Sequence, residues 1–306
     1  MAFQTLLPIF VYFLLGIVLR RFGIASRDHA AFIFRLVFFV TLPALVFPAI
    51  AGAELTRRTM LLPVSGFTVN LVCAAAAIVY VRFAGLDNRR AGAVVLGAGI
   101  TNMLFVFPFI LSVLGQAALA DAILYDLGNA MFVGTLAYSI TLYFGTSQEA
   151  SKLSFLFRTI RAPIFIAIAA ALLVNAYQLS VPPVVSNVLV PLGATTTPLV
   201  LIAVGMSFST QGISGHLTVA TLLLRMLLGF VVGLLLAWMF GFEGFTAAVV
   251  VVAAAAPIGF SSPSLASVGE LDTGQAAAAL SVSVAIGVFT TTALLLFAAS
   301  WFGAST

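Results

Sequence analysis

Two stretches of this chain place small polar side chains beside proline within otherwise apolar sequence. One reads Gly97-Ala98-Gly99-Ile100-Thr101-Asn102-Met103-Leu104-Phe105-Val106-Phe107-Pro108, the other Ala256-Pro257-Ile258-Gly259-Phe260-Ser261-Ser262-Pro263-Ser264. Proline removes a backbone donor and clashes with the preceding helical turn, so each stretch predicts a broken helix. A break creates a half-helix whose free N–H groups and positive dipole end attract an anion. Two such ends, with Thr101, Asn102, Ser261 and Ser262 as side-chain donors, would form an anion site. Phe105, Pro108, Pro257 and Pro263 belong to the same candidate site. The competing reading is that these prolines only kink packed helices.

Ionisable residues inside apolar segments are expensive and usually face a protein interior or a pathway. Asp126, in Asp126-Leu127-Gly128-Asn129, and Arg225 are of this kind. Either they couple protons or pair with substrate, or they form a buried structural pair with each other or with Asn70. Enzyme chemistry is not expected. The chain has no phosphate-cradling GxxxxGK[ST] loop, only His29 and His216, no HExxH and no acidic cluster with metal-ligand spacing, so no cofactor or metal is expected. The string Gly212-Ile213-Ser214-Gly215-His216 is similar to the serine motif of intramembrane rhomboid proteases. A second helix offering a histidine is missing, however, and the string reads more simply as a helix start.

The elements that position these residues must live in lipid. Of 306 residues, 62% are hydrophobic and 7% charged, and mean hydropathy is +1.22. A soluble domain carries about a quarter charged residues. The net charge of +4 comes from Arg doublets flanking apolar runs, the mark of cytoplasmic loops rather than of nucleic-acid binding. Cys73 sits alone in an apolar run. The first apolar run, about 3–20, is followed rather than preceded by Arg20 and Arg21, opposite to a cleavable signal, and is read as a first span.

Ten apolar runs of spanning length fall at about 3–20, 30–52, 60–82, 91–115, 120–144, 161–177, 184–206, 216–240, 246–268 and 275–302. Prolines expose a duplication: Pro8 and Pro163, Pro43 and Pro198, and Pro108 and Pro263 each stand 155 residues apart. Five spans per half is an odd number, so the halves must be inverted in the membrane. The expected fold is an all-α membrane protein of ten transmembrane helices in two inverted five-helix repeats, 1–145 and 159–306. A cytoplasmic linker at 146–158 joins them, and helices 4 and 9 are broken where they cross. Loops 1–2, 3–4 and 5–6 hold Arg20, Arg21, Arg27, Arg82, Arg89, Arg90, Lys152, Arg158 and Arg161; the other side holds Arg57 and Arg58. The Arg-rich side is therefore expected in the cytoplasm and both termini outside a plasma (inner) membrane.

These features resemble the auxin efflux carrier family, which includes plant auxin carriers and bacterial malonate and malate permeases. The resemblance covers nearly the whole chain. It rests on Leu42-Pro43-Ala44-Leu45-Val46-Phe47, Asn102-x-x-Phe105-x-x-Pro108, Asp126-Leu127-Gly128-Asn129, Pro198 with Gly205, Arg225, and Pro257 followed by a small polar run ending at Glu270-Leu271-Asp272. It implies transport of a small organic anion, a carboxylate, by an elevator-type motion of a crossover domain against a scaffold, in a homodimer within the lipid bilayer. Asn102 would contact the carboxylate, and Asp126 and Asn129 would support the crossover. Two departures stand out. Only about 14 residues join the halves, and Phe105-Val106-Phe107 stands where many relatives have glycine. Both H+ and Na+ remain open as coupling ions. The bile-acid sodium symporters, which share the ten-span plan, are the nearest alternative, ahead of a channel or a receptor.

Overall fold

The computed structural model describes residues 2–146, 161–207 and 215–303, with the side chains of 2–5 and of Arg27 left undescribed. Most of the expected linker and the Gly212–Ser214 string lie outside the described residues. Among the described residues the chain is helical apart from one isolated β-bridge, Thr101 with Ile258.

In chain order, α1 covers Ala2–Arg21. Helix α2, Arg27–Leu36, passes through a π turn at Val37–Thr41 into α3, Leu42–Ala51. Helices α4 (Leu62–Phe83) and α5 (Asn88–Gly99) follow. Helix α6 spans Met103–Phe132 and continues through a π turn, Val133–Ala137, into α7, Tyr138–Phe144. Then come α8 (Pro163–Ala176), α9 (Pro183–Ala194) and α10 (Thr196–Ser207). Helix α11, Gly215–Leu222, runs through a third π turn, Leu223–Leu227, into α12, Leu228–Met239. Helices α13 (Gly244–Ala254), α14 (Ser261–Val268) and α15 (Thr273–Trp301) complete the chain.

Six described helical stretches are long and apolar enough to cross a membrane: Asp28–Ala51, Thr59–Phe83, Met103–Phe144, Pro183–Ser207, Gly215–Met239 and Thr273–Trp301. The third has 42 residues. Straight, it would measure about 63 Å, roughly twice the hydrocarbon core of a bilayer. It is not straight: Gly115, at φ 81° and ψ −171°, turns it into two limbs. Glycine takes this backbone conformation at no steric cost.

Polar residues in the loops close the helices that follow them. Ser26 and His29 form a capping box on α2, Asp87 caps α5 and Asp272 caps α15 through the Gln275 N–H. Each satisfies an orphan N–H of a first turn. Glu270 and Asp272 also tie their loop to the first turn of α5. Arg89 Nε donates to the Glu270 carbonyl at 2.9 Å, and the Asp272 N–H donates to the Arg89 carbonyl at 3.1 Å.

The helices sort into two packed groups. Helices α1, α2, α3, α8, α9 and α10 pack mainly on one another, and α4, α5, α6 and α11 through α15 form the second group, with α6 carrying most of the contact between them. Lipid gives helices no hydrophobic reason to associate, so close van der Waals approach matters more. Gly16 of α1 and Gly205 of α10 supply it: a Cβ on either would run into the opposing backbone.

The 155-residue spacing seen in the prolines recurs in contacts. Thr196 Oγ1 donates to Thr41 Oγ1 at 3.0 Å, each two residues ahead of a proline, Pro198 and Pro43. Arg225 Nη1 donates to Asn70 Oδ1 at 3.0 Å, again at a separation of 155. Arg20 Nη1 donates to the Met206 carbonyl at 2.9 Å. At the same offset from both, Asn175 Nδ2 donates to the Ala51 carbonyl at 3.1 Å. Left-handed residues repeat too: Gly23 with Gln178, and Gly115 with Glu270.

Candidate functional site

Between α5 and α6 the chain leaves helical geometry at Ile100–Asn102, and between α13 and α14 it does so at Ala255–Phe260. These segments cross antiparallel. The Asn102 N–H donates to the Pro257 carbonyl at 3.0 Å and the Gly259 N–H to the Ile100 carbonyl at 2.8 Å. Asn102 ties the crossing further: Nδ2 donates to the Ile258 carbonyl at 3.0 Å, and Oδ1 caps α6 by accepting from the Phe105 N–H at 3.2 Å. Ser283 Oγ accepts from the Ile258 N–H at 3.1 Å. Asn102 and Pro257 are also 155 residues apart, the offset that relates the prolines.

The breaks therefore precede the prolines that signalled them. Pro263 lies in the first turn of α14, where its missing N–H would have had no intrahelical partner. Pro108 lies inside α6, about a turn and a half past the break. Only Pro257 sits within a break.

The crossing separates helix ends by sign. On one side, the C-terminal ends of α5 and α13 converge on Arg225, which is 0% exposed. Its Nη1 donates to the Ala98 carbonyl at 3.2 Å, and its Nη2 to the Ala254 carbonyl, the last of α13, at 2.7 Å. A cation at two helix C-termini satisfies orphan carbonyls and opposes their dipole charge. No carboxylate pairs with Arg225 among the described residues.

On the other side, the N-terminal ends of α6 and α14 border a cavity of about 550 Å³. Thr101, Asn102 and Met103 line it from the first crossing segment, and Phe260, Ser261 and Ser264 from the second. Asp126 and Asn129 line it from α6. Phe34, Phe38 and Leu42 close it from the first helix group, with Phe165 and Ile168 of α8. The Phe34 and Phe260 rings meet across it, centroids 4.7 Å apart. Among the described residues, Asp126 is the one charged side chain on its wall.

Of the residues singled out from sequence, Thr101, Asn102, Ser261, Asp126 and Asn129 reach the cavity. Phe105 and Pro257 instead pack near Gly287 of α15. Ser262 is fully buried and faces Gly97 of α5. Pro108 and Pro263 do not line the wall. Asn70 and Arg225 lie behind the crossing, linked to the cavity by a chain of amides. Asn70 Nδ2 donates to Asn129 Oδ1 at 2.8 Å, and Asn129 Nδ2 donates to Asp126 Oδ1 at 2.7 Å. Thr101 Oγ1 donates to Asn70 Oδ1 at 2.6 Å. Sequence reasoning missed Phe34, Phe165 and Phe260, because an aromatic facing a cavity reads like one facing lipid. It also missed Ser264, which the polar run after Pro263 could have signalled.

The family model described as membrane transport protein matches residues 1–295. A protein of Methanothermobacter thermautotrophicus named as an uncharacterized transporter is 24% identical over 274 residues, 88% of this chain and 89% of its own length. Another uncharacterized transporter, from Methanocaldococcus jannaschii, is 24% identical over 217 residues, 69% of this chain and 70% of its own length. With a crossing of two broken helices at its centre and a match along nearly its whole length, this chain belongs to the membrane transport protein family, the auxin-efflux-carrier-like family whose motifs its sequence resembles.

Proposed function

We propose that this protein is a carrier that moves a small organic anion, a carboxylate, across a plasma membrane by alternating access. The observation that carries the reading is the sorting of helix ends at the crossing. The cavity receives two N-terminal ends and no basic side chain among the described residues, while the basic residue takes the two C-terminal ends behind it. Backbone N–H groups and helix dipoles then do the work of binding the anion, with Ser261 and Ser264 as hydroxyl donors; the Thr101 hydroxyl is committed to Asn70 Oδ1. Asn102 holds the crossing in shape. The aromatic wall of Phe34, Phe165 and Phe260 suits an apolar body behind the carboxylate.

The architecture proposed is ten spans in two inverted repeats, 1–145 and 159–306. The recurrence of equal contacts at the 155-residue offset supports it. So does the corner at Gly115, which divides the 42-residue apolar stretch into two limbs. Division of the helices into two packed groups around the cavity supports an elevator-type motion, with the crossover group sliding along α1, α2, α3, α8, α9 and α10. The cavity wall reaches Ala31 and Ala162, close to the ends that adjoin the Arg-rich loops. With those loops in the cytoplasm, the state described faces inward.

Counterflow in proteoliposomes tests the function. A carrier loaded with unlabelled malonate, malate or indole acetate takes up the labelled compound saturably and transiently above equilibrium. Flux without saturation or counterflow would mean a channel, and binding without flux a receptor.

A further inference from the structure

The balance of charge at the crossing bears on what travels with the anion, and it rests on the carrier reading above. Each helix end carries about half an elementary charge. The C-terminal ends of α5 and α13 together amount to about −1 by that measure and are matched by the single charge of Arg225. The N-terminal ends of α6 and α14 amount to about +1, and the charged side chain sharing their cavity is Asp126. Without substrate, each side is balanced. An anion that occupies the N-terminal ends leaves the Asp126 carboxylate as a surplus negative charge in a poorly screened site. Like charges a few ångströms apart repel strongly there.

We infer that Asp126 takes up one proton when the anion binds, so that the protein moves one H+ together with one monocarboxylate, electroneutrally. The proton comes from water in the cavity and sits on the carboxyl oxygen Oδ2, since Oδ1 already accepts from Asn129 Nδ2. It leaves with the anion when the site opens to the opposite side. A dianion would keep a net negative charge at the site and is the poorer fit.

Among the described residues, nothing else on the cavity wall can take this role. The lining contributed by α2, α3, α8 and α14 is Ala31, Phe34, Phe38, Ile164, Ser264 and similar non-titrating side chains. On α6 itself, Tyr125 is buried in the core beside Asp126, and Asp121 is engaged by Thr246 Oγ1 at 2.6 Å. From α4, Cys73 is buried behind the crossing. Arg225 reaches Asp126 only through Asn70 and Asn129, and its charge is already spent on the two carbonyl ends.

The test uses wild-type proteoliposomes with a trapped pH dye and the membrane potential clamped by K+ and valinomycin. Labelled pyruvate and indole acetate serve as monoanions, and protein-free liposomes give the passive background. Entry is expected to acidify the lumen by one H+ per monoanion, at a rate that the clamped potential does not change. Monoanion entry without protons, a rate that follows the potential, or flux confined to dianionic malonate or malate with no proton would overturn the inference and leave the carrier standing. Absence of counterflow with any anion would remove both. Reciprocal linkage also predicts that the wild-type KM for the anion rises about tenfold per pH unit on the alkaline side. In Asp126→Asn, KM should be flat with pH and proton uptake lost. A variant that keeps the wild-type pH dependence overturns the assignment, and if the variant does not fold, the wild-type proton count decides.

Discussion

Arg225 and Asp126 stand at opposite ends of one hydrogen-bonded chain that passes through Asn70 and Asn129 and crosses from the dry side of the crossover to the cavity. They make no direct ion pair. Each charge is instead set against a pair of helix ends of opposite sign. Arg225 holds the ends of α5 and α13 together, and Asp126 stands on the cavity wall.

The first prediction concerns the structural end of the chain. Arg225→Met leaves the Ala98 and Ala254 carbonyls without the guanidinium donor in a fully buried site, and Asn70 Oδ1 with Thr101 Oγ1 alone. Leaving a buried acceptor unsatisfied costs about 1–3 kcal/mol per group. Thermal unfolding in detergent should show a large drop in midpoint. Arg225→Lys, which keeps the charge but loses the planar fork, should fall between wild type and Arg225→Met. An unchanged midpoint in Arg225→Met would show that the buried guanidinium is dispensable.

The second separates the two residue types that signalled the site. Asn102→Ala removes the cap of α6, worth about 0.5–2 kcal/mol, and the tie to Ile258. Counterflow should be lost while the protein remains folded and inserted. Pro263→Ala sits where a helix tolerates either residue, so stability should change by no more than about 1 kcal/mol and transport should persist. The sequence places both residues in one candidate site, so comparing the two replacements in one counterflow assay tests the position of the break.

A third prediction follows from the Phe34–Phe260 contact between the two helix groups. In a background with Cys73 replaced by alanine, Phe34→Cys together with Phe260→Cys should cross-link with a short bifunctional reagent. The cross-linked protein should lose nearly all counterflow, and either single variant treated alike should not. Full activity of the cross-linked protein would contradict movement of one group against the other.

Much of this architecture can be read from the sequence, and the misplacements have physical causes. Apolar runs indicate the helices, because lipid enforces both hydropathy and length, and the 155-residue proline spacing returns as the spacing of the Thr41–Thr196 and Asn70–Arg225 contacts. The breaks are displaced because proline is tolerated inside a helix's first turn, so it marks the neighbourhood of a break rather than its residue. Arg225 and Asn70 stand 155 residues apart in the sequence itself, yet only packing shows that the guanidinium is aimed at carbonyls and not at Asp126. Asn175, which caps the end of α3 through the Ile50, Ala51 and Ala53 carbonyls, gives no local signal, because its acceptors lie more than 120 residues away. Phe34 and Phe260 are invisible for a similar reason: hydropathy does not distinguish a cavity from lipid.

The central claim is that the cavity binds an organic anion through its charge. Competition in counterflow tests this most directly: labelled malonate or indole acetate exchanged against unlabelled acid or the corresponding neutral amide. Saturable exchange that the free acid inhibits, and the amide leaves untouched at a hundredfold excess, is the predicted result. Equal inhibition by acid and amide, or no exchange by folded protein with any carboxylate, would contradict an anion site at the paired helix ends.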